Sequence, residues 1–128
     1  MPVTYVIDKG QKTIQTRCTG NVTFDEVVDH FRVLEQDPEC PERLDVLLDL
    51  TNLTSIPNAD QLTGVSDAIG RTLEKVRFDA CAIVAPTDLL FGVSRVFEVL
   101  AEGRFRMTRT FRRFNEAESW LAEQRPRR

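Results

Sequence analysis

The chain has 128 residues, 41% of them hydrophobic and 29% charged, with a formal net charge of -3. That is the size and apolar content of one domain with one packed core, and it excludes a disordered chain. Apolar runs such as Ala80 to Ala85 are far too short to span a bilayer, and MPVTYVIDKG has no apolar signal region, so the expectation is a cytoplasmic protein without membrane insertion.

In chain order, Val3 to Asp8 and Thr13 to Thr19 read as two strands joined at Lys9-Gly10-Gln11, a β-hairpin. Thr23 and Glu26 have the spacing of a capping box, and Phe24, Val27, Val28, Phe31 and Leu34 then repeat at helical spacing up to Asp37-Pro38. Leu44 to Leu50 is a nearly continuous apolar run, as in a central strand covered on both faces. A polar loop, Thr51 to Pro57, leads to Asn58 and Gln61 as N-cap and N3 of a second helix carrying Leu62, Val65, Ile69, Leu73 and Val76. Phe78 to Ala85 is a second central strand. Thr87-Asp88 opens a third helix whose expected buried stripe is Leu89, Leu90, Val93, Val96, Phe97 and Leu100, with Gly103 as C-cap. Arg104 to Arg113 reads as a more exposed strand, and Asn115 with Glu118 as the cap of a last helix. The predicted order is ββαβαβαβα: an α/β fold with one mixed, mostly parallel sheet of about five strands and four helices. One domain is expected over residues 1–124, followed by a basic tail at 125–128.

The charge is uneven. Residues 1–94 carry 8 Lys or Arg against 15 Asp or Glu, and residues 95–128 carry 9 Arg against 5 Glu. An acidic body with a basic end is consistent with arginines guarding an edge strand or with docking of a protein partner. Nucleic-acid binding is not expected, because the chain is net acidic and no recognition motif accompanies the arginines. Cys18, Cys40 and Cys81 are odd in number and form no CxxC pair, which argues against a disulfide framework or a thiolate metal site. His30, the one histidine, falls on a helix face with no spacing that pairs it to a cysteine. The 6 glycines form no phosphate-binding signature. No metal, cofactor or catalytic residue is expected.

In open parallel sheets ligands bind beyond the carboxyl ends of the strands. The segments expected to meet there contain Asp49, Thr51, Asn52, Thr54 and Ser55, then Asn58, Ala59 and Asp60, and Thr87 with Asp88. Asp49 and Asp88 are the two carboxylates expected closest together, with loop capping the simpler role for Asp49. Gly92, costly inside a helix, suggests close packing of that helix start, with Phe91 beside a pocket. Gly64, with Ser66, is expected on the exposed face of the second helix, where a partner helix could approach.

The order of elements, the strand end Asp49-Leu50-Thr51, the segment from Thr87 to Glu98, and the close Phe114 to Leu121 together resemble the SpoIIAA-like proteins, within the wider group that holds STAS and CRAL-TRIO domains. The resemblance covers nearly the whole chain and implies a small, stand-alone bacterial protein of unassigned function. It implies a non-enzymatic interaction or regulatory module with a protein partner or a second copy of itself. It also implies that a phosphoserine switch is missing, since the acceptor position of the anti-sigma-factor antagonists falls on Ala59, which has no hydroxyl. The CRAL-TRIO side of the resemblance implies an alternative, a small-molecule domain with an apolar or lipid-like ligand and a pocket at the strand carboxyl ends.

Overall fold

The computed structural model describes residues 2–124, so the basic tail at 125–128 lies outside the described residues. The elements are β1 (Val3–Asp8), β2 (Thr13–Gly20), α1 (Phe24–Glu35), β3 (Arg43–Leu53), α2 (Ala59–Thr72), β4 (Arg77–Val84), α3 (Asp88–Leu100), β5 (Met107–Phe111) and α4 (Phe114–Gln124). Their order is the one predicted. The five strands lie side by side in sequence order, β1 antiparallel to β2 and every other neighbour parallel. Each crossover moves one strand in the same direction. Because such crossovers share one hand, their helices fall on one face. That face carries the core in which Leu34 of α1, Leu62 and Ile69 of α2 and Leu90 and Phe97 of α3 meet Ile14, Cys81 and Ile83 of the sheet. α4 packs on the other face, over Leu47, Ala80, Ala82 and Val84.

Local chemistry sets the starts of α1 and α2. The Thr23 hydroxyl accepts from Glu26 N at 3.2 Å while Glu26 Oε1 accepts from Thr23 N at 2.9 Å. Asn58 and Gln61 repeat the arrangement at 2.9 Å in both directions. Both capping boxes satisfy amides that a helix start leaves open. The expected third pair does not form. α4 begins at Phe114, which places Asn115 inside the first turn instead of at its cap.

Four expectations change in the structure. β3 runs to Leu53, taking Thr51 and Asn52 out of the loop, because Thr19 and Gly20 of β2 extend the ladder to Asn52 and Leu53. β5 is shorter than Arg104 to Arg113, since its pairing with β4 covers Met107 to Phe111 alone. The stripe that α3 buries is Leu90, Ser94, Phe97 and then Ala101, whereas Leu89, Val96 and Leu100 are exposed. α3 is apolar on more than one side, so spacing did not determine which side faces in. Finally, α3 is capped by Ala101, and Gly103 with φ 88° makes the left-handed turn that follows.

Among the described residues, three arginines of the basic end, Arg104, Arg106 and Arg112, pair with the acidic body. Arg106 Nε lies 2.7 Å from Asp79 Oδ1, which Arg43 also approaches at 3.3 Å. Arg112 pairs with Asp88 at 2.7 Å and stacks over the Phe91 ring at 4.2 Å. Arg104 crosses α2, reaching Asp67 at 3.6 Å and Ser66 Oγ at 3.5 Å. Part of the charge asymmetry of the sequence is thus met within the fold, beside β5.

Candidate functional site

The two faces of the sheet are packed very differently. Ala80 and Ala82 of β4 and Ala117 of α4 are wholly buried against one another's layer, because small side chains let a helix settle on the strands. On the opposite face, Val46, Leu48 and Leu50 of the central strand β3 are only half-buried, although α1, α2 and α3 lie above them. Between this face and the three helices is a cavity of about 400 Å³. Its walls are mostly hydrocarbon: Ile14, Val46, Leu48, Leu50 and Ile83 from the sheet, and Val27, Phe31, Val65, Ile69 and Phe97 from the helices. The lining residues that are exposed, Asn21, Thr23, Ile56 and Gln61, lie together on the β2–α1 and β3–α2 connections and the first turn of α2. The cavity therefore opens at the carboxyl ends of β2 and β3.

The residues singled out from the sequence do not converge on this space as a group. Ser55 lines it, and its hydroxyl fastens the two loops of the mouth, accepting from Val22 N at 3.0 Å and donating to Val22 O at 3.3 Å. Asp49 points to the α4 side. Its Oδ1 accepts from the Thr51 amide at 3.0 Å and the Thr51 hydroxyl at 2.5 Å, and its Oδ2 faces Arg17 at 3.5 Å. Asp88 is held instead by Arg112. The two carboxylates have separate arginines and form no pair, because Asp49 points from β3 to the α4 side while Asp88 begins α3, which packs on the opposite face. Asn52 and Thr54 are exposed, and Asn58, Ala59 and Asp60 form the exposed start of α2. Thr87 caps α3, its hydroxyl accepting from Leu90 N at 3.2 Å.

Two glycine readings are corrected. Gly92 is exposed, and a Cβ there would meet nothing within 4 Å, so no close approach explains it, and Phe91 packs under Arg112. Gly64 faces α1 of the same chain instead of standing on an open helix face. A Cβ at Gly64 would lie 2.7 Å from Phe24 Cε1, so its lack of a side chain is what admits the Phe24 ring between α1 and α2. Ser66 is likewise buried, donating to Leu100 O at 2.9 Å.

The sequence reading missed most of the polar groups that face the cavity: Thr16, Cys18, His30, Cys81 and Ser94. The signal was present, since Thr16 interrupts the inward face Ile14-x-Thr16-x-Cys18 and Ser94 sits between Leu90 and Phe97. A polar residue at a core position is a break in pattern that often marks a site. Burial pushes the Cys18 thiol up to about 11, with the Asp49 charge adding to it, and burial also pushes the Cys81 thiol up, so both stay protonated. His30 packs edge-on to Tyr5 at 5.3 Å between ring centroids. Tyr5 is pushed up to about 12 by burial and by donating to Asp37 Oδ2 at 2.6 Å. Burial pushes His30 down to about 4, so its ring is neutral in the folded chain.

The unfolded chain takes up this proton near pH 6.5, and the folded chain only near 4. The stability that neutral His30 contributes is therefore complete above pH 6.5. It falls as pH drops from 6.5 towards 4, by at most about 1.4 kcal/mol per unit. Urea denaturation at a series of pH values should show this slope in the native chain and a flatter one in His30→Phe. Equal slopes would mean that water reaches the ring freely.

Among the described residues, no three His, Cys, Asp or Glu side chains gather where they could hold a metal ion, and no helix is long and apolar enough to cross a membrane. No family model matches the chain, and no curated protein matches it. The solved structures do provide a likeness. The open sheet with three helices on one face and one on the other is a SpoIIAA-like fold. The chain is similar to an uncharacterized protein of the DUF3478 family with that fold from Shewanella loihica PV-4, at a TM-score of 0.61 and 16% identity over 93% of this chain and 91% of that one. At that identity the likeness concerns the fold alone.

Proposed function

We propose that this chain binds an apolar small molecule in the space between its sheet and the α1–α3 layer, as a binding protein and not an enzyme. One observation carries the reading: the central strand of the sheet faces a cavity of about 400 Å³ where a packed core would be expected. Native interiors have few voids larger than a water molecule. A dry void of this size would cost on the order of 10 kcal/mol at about 24 cal/mol per Å³, as much as the whole stability of many domains. An organic guest would restore that lost packing, and hydrocarbon walls favour such a guest over water. The Asn21, Thr23, Ile56 and Gln61 mouth gives such a guest a route in.

Docking of a protein partner is the second reading, and α3 supports it. Leu89 is 61% exposed and Val99 69% exposed, with Val96 between them on the same side. The outer face of α2, where a partner was first expected, is polar at Asp60, Gln61, Thr63, Asp67 and Arg71. The cavity supports the ligand reading more directly, because the fold loses core packing to keep it.

The test is a titration with N-phenyl-1-naphthylamine, an uncharged dye that brightens in apolar surroundings. Saturable brightening at one dye per chain is expected. A purely linear response would defeat the ligand reading and leave partner docking in its place.

A further inference from the structure

We propose that the cavity selects an uncharged apolar molecule carrying a hydrogen-bonding oxygen (an alcohol, ketone or ester), which is held by the hydroxyls of Thr16 and Ser94. The inference rests on the cavity taking a ligand and specifies that ligand's chemistry. Five serines and threonines are buried among the described residues: Thr16, Ser66, Thr72, Ser94 and Thr110. Three of them are satisfied within the protein. Ser66 donates to Leu100 O at 2.9 Å, Thr72 to Ala68 O at 3.1 Å and Thr110 to Glu98 Oε2 at 2.6 Å. Thr16 and Ser94, each 4% exposed, have no side-chain hydrogen bond among the described residues. These two are also the ones that line the cavity.

Buried hydroxyls are nearly always paired, and leaving one unpaired destabilises a fold. Thr16 stands on β2 in the row that continues through Leu48 and Ile83 across the sheet, and Ser94 stands on α3. A guest in the cavity therefore meets one open hydroxyl from the floor and one from the helix layer, in otherwise apolar surroundings. A hydroxyl can donate or accept, so either pairs with a neutral oxygen.

The same walls disfavour an anion. The cavity lining contains no Asp, Glu, Lys or Arg. An ionised carboxylate inside would lose its hydration and find no counter-charge. The charges near the mouth, Asp25 and Glu26 in the first turn of α1 and Asp60 in that of α2, are acidic and would repel it. A fatty-acid carboxylate is thus disfavoured inside the cavity, although its chain would suit the walls.

The test displaces N-phenyl-1-naphthylamine at pH 8 with 1-octanol, octane or octanoate, from the native chain and from the double variant Thr16→Val, Ser94→Ala. Valine keeps the threonine's shape and alanine favours a helix, so the variant should fold, with a denaturation midpoint at or above the native one. The expected result is a loss of about tenfold or more in 1-octanol affinity in the variant, with octane affinity unchanged and octanoate much the weakest. Unchanged 1-octanol affinity would overturn the role of the hydroxyls, and octanoate binding as well as 1-octanol would overturn the charge selection, while ligand binding itself would stand in both cases. If the dye does not bind and nothing displaces it, the ligand reading fails and this inference fails with it.

Discussion

Replacing Val65 with phenylalanine is expected to weaken N-phenyl-1-naphthylamine binding by about tenfold or more while leaving the chain at least as stable. Val65 lies on α2, half-buried, with its side chain in the cavity wall. Phenylalanine adds four carbons at that point. In a well-packed core such an enlargement forces neighbours aside and costs about 1–3 kcal/mol. In an existing cavity it buries new apolar surface instead, worth about 0.8 kcal/mol per buried carbon group. The two readouts therefore move in opposite directions if the cavity is a binding site, with affinity falling and the urea midpoint staying or rising. A fall in stability with binding intact would show that the helices pack closely on the sheet and that the dye sits elsewhere.

The second large effect is expected on the opposite face. Trp120→Ala should cost about 3–5 kcal/mol, a large share of a typical domain's 5–15 kcal/mol. Trp120 is buried against Phe111 at 5.6 Å between ring centroids, and with Leu121 and Ala117 it closes α4 over Leu47, Ala80, Ala82 and Val84. The alanines beneath cannot grow to fill the space, so a cavity or a detached helix would result. The chain has one tryptophan, so circular dichroism must follow the urea unfolding. A loss below about 1 kcal/mol would mean that α4 contributes little and that this face is sealed by something else.

Much of the architecture was legible because local signals agreed with the global pattern. Thr23 with Glu26 and Asn58 with Gln61 marked helix starts that the structure keeps, and the run from Phe78 to Ala85 gave a central strand within a residue at each end. α3 shows where pattern fails. With Leu89, Leu90, Val93, Val96, Phe97, Val99 and Leu100 all apolar, no single face stands out, and the buried one contains a serine. The glycines misled for a related reason. A missing side chain states only that something needs room, and at Gly64 that is Phe24, whereas at Gly92 it is nothing. The cavity was illegible because hydrocarbon residues that line a space and those that fill a core have the same composition. Only Thr16 and Ser94, polar among apolar neighbours, carried a trace of it.

The arginine clasps also bear on the order in which the fold is made. During synthesis the chain emerges from its N-terminus, so β1 to β4 and the three-helix layer can assemble before α4 exists. Until then Leu47, Ala80, Ala82 and Val84 form an unroofed apolar strip on the nascent sheet, a surface prone to sticking. The edge of β4 is also unpaired. Asp79 and Asp88 are already in place beside that strip and edge, and the arriving Arg106 and Arg112 carry the opposite charge. The last strand thus carries charge complementary to the body on which it closes.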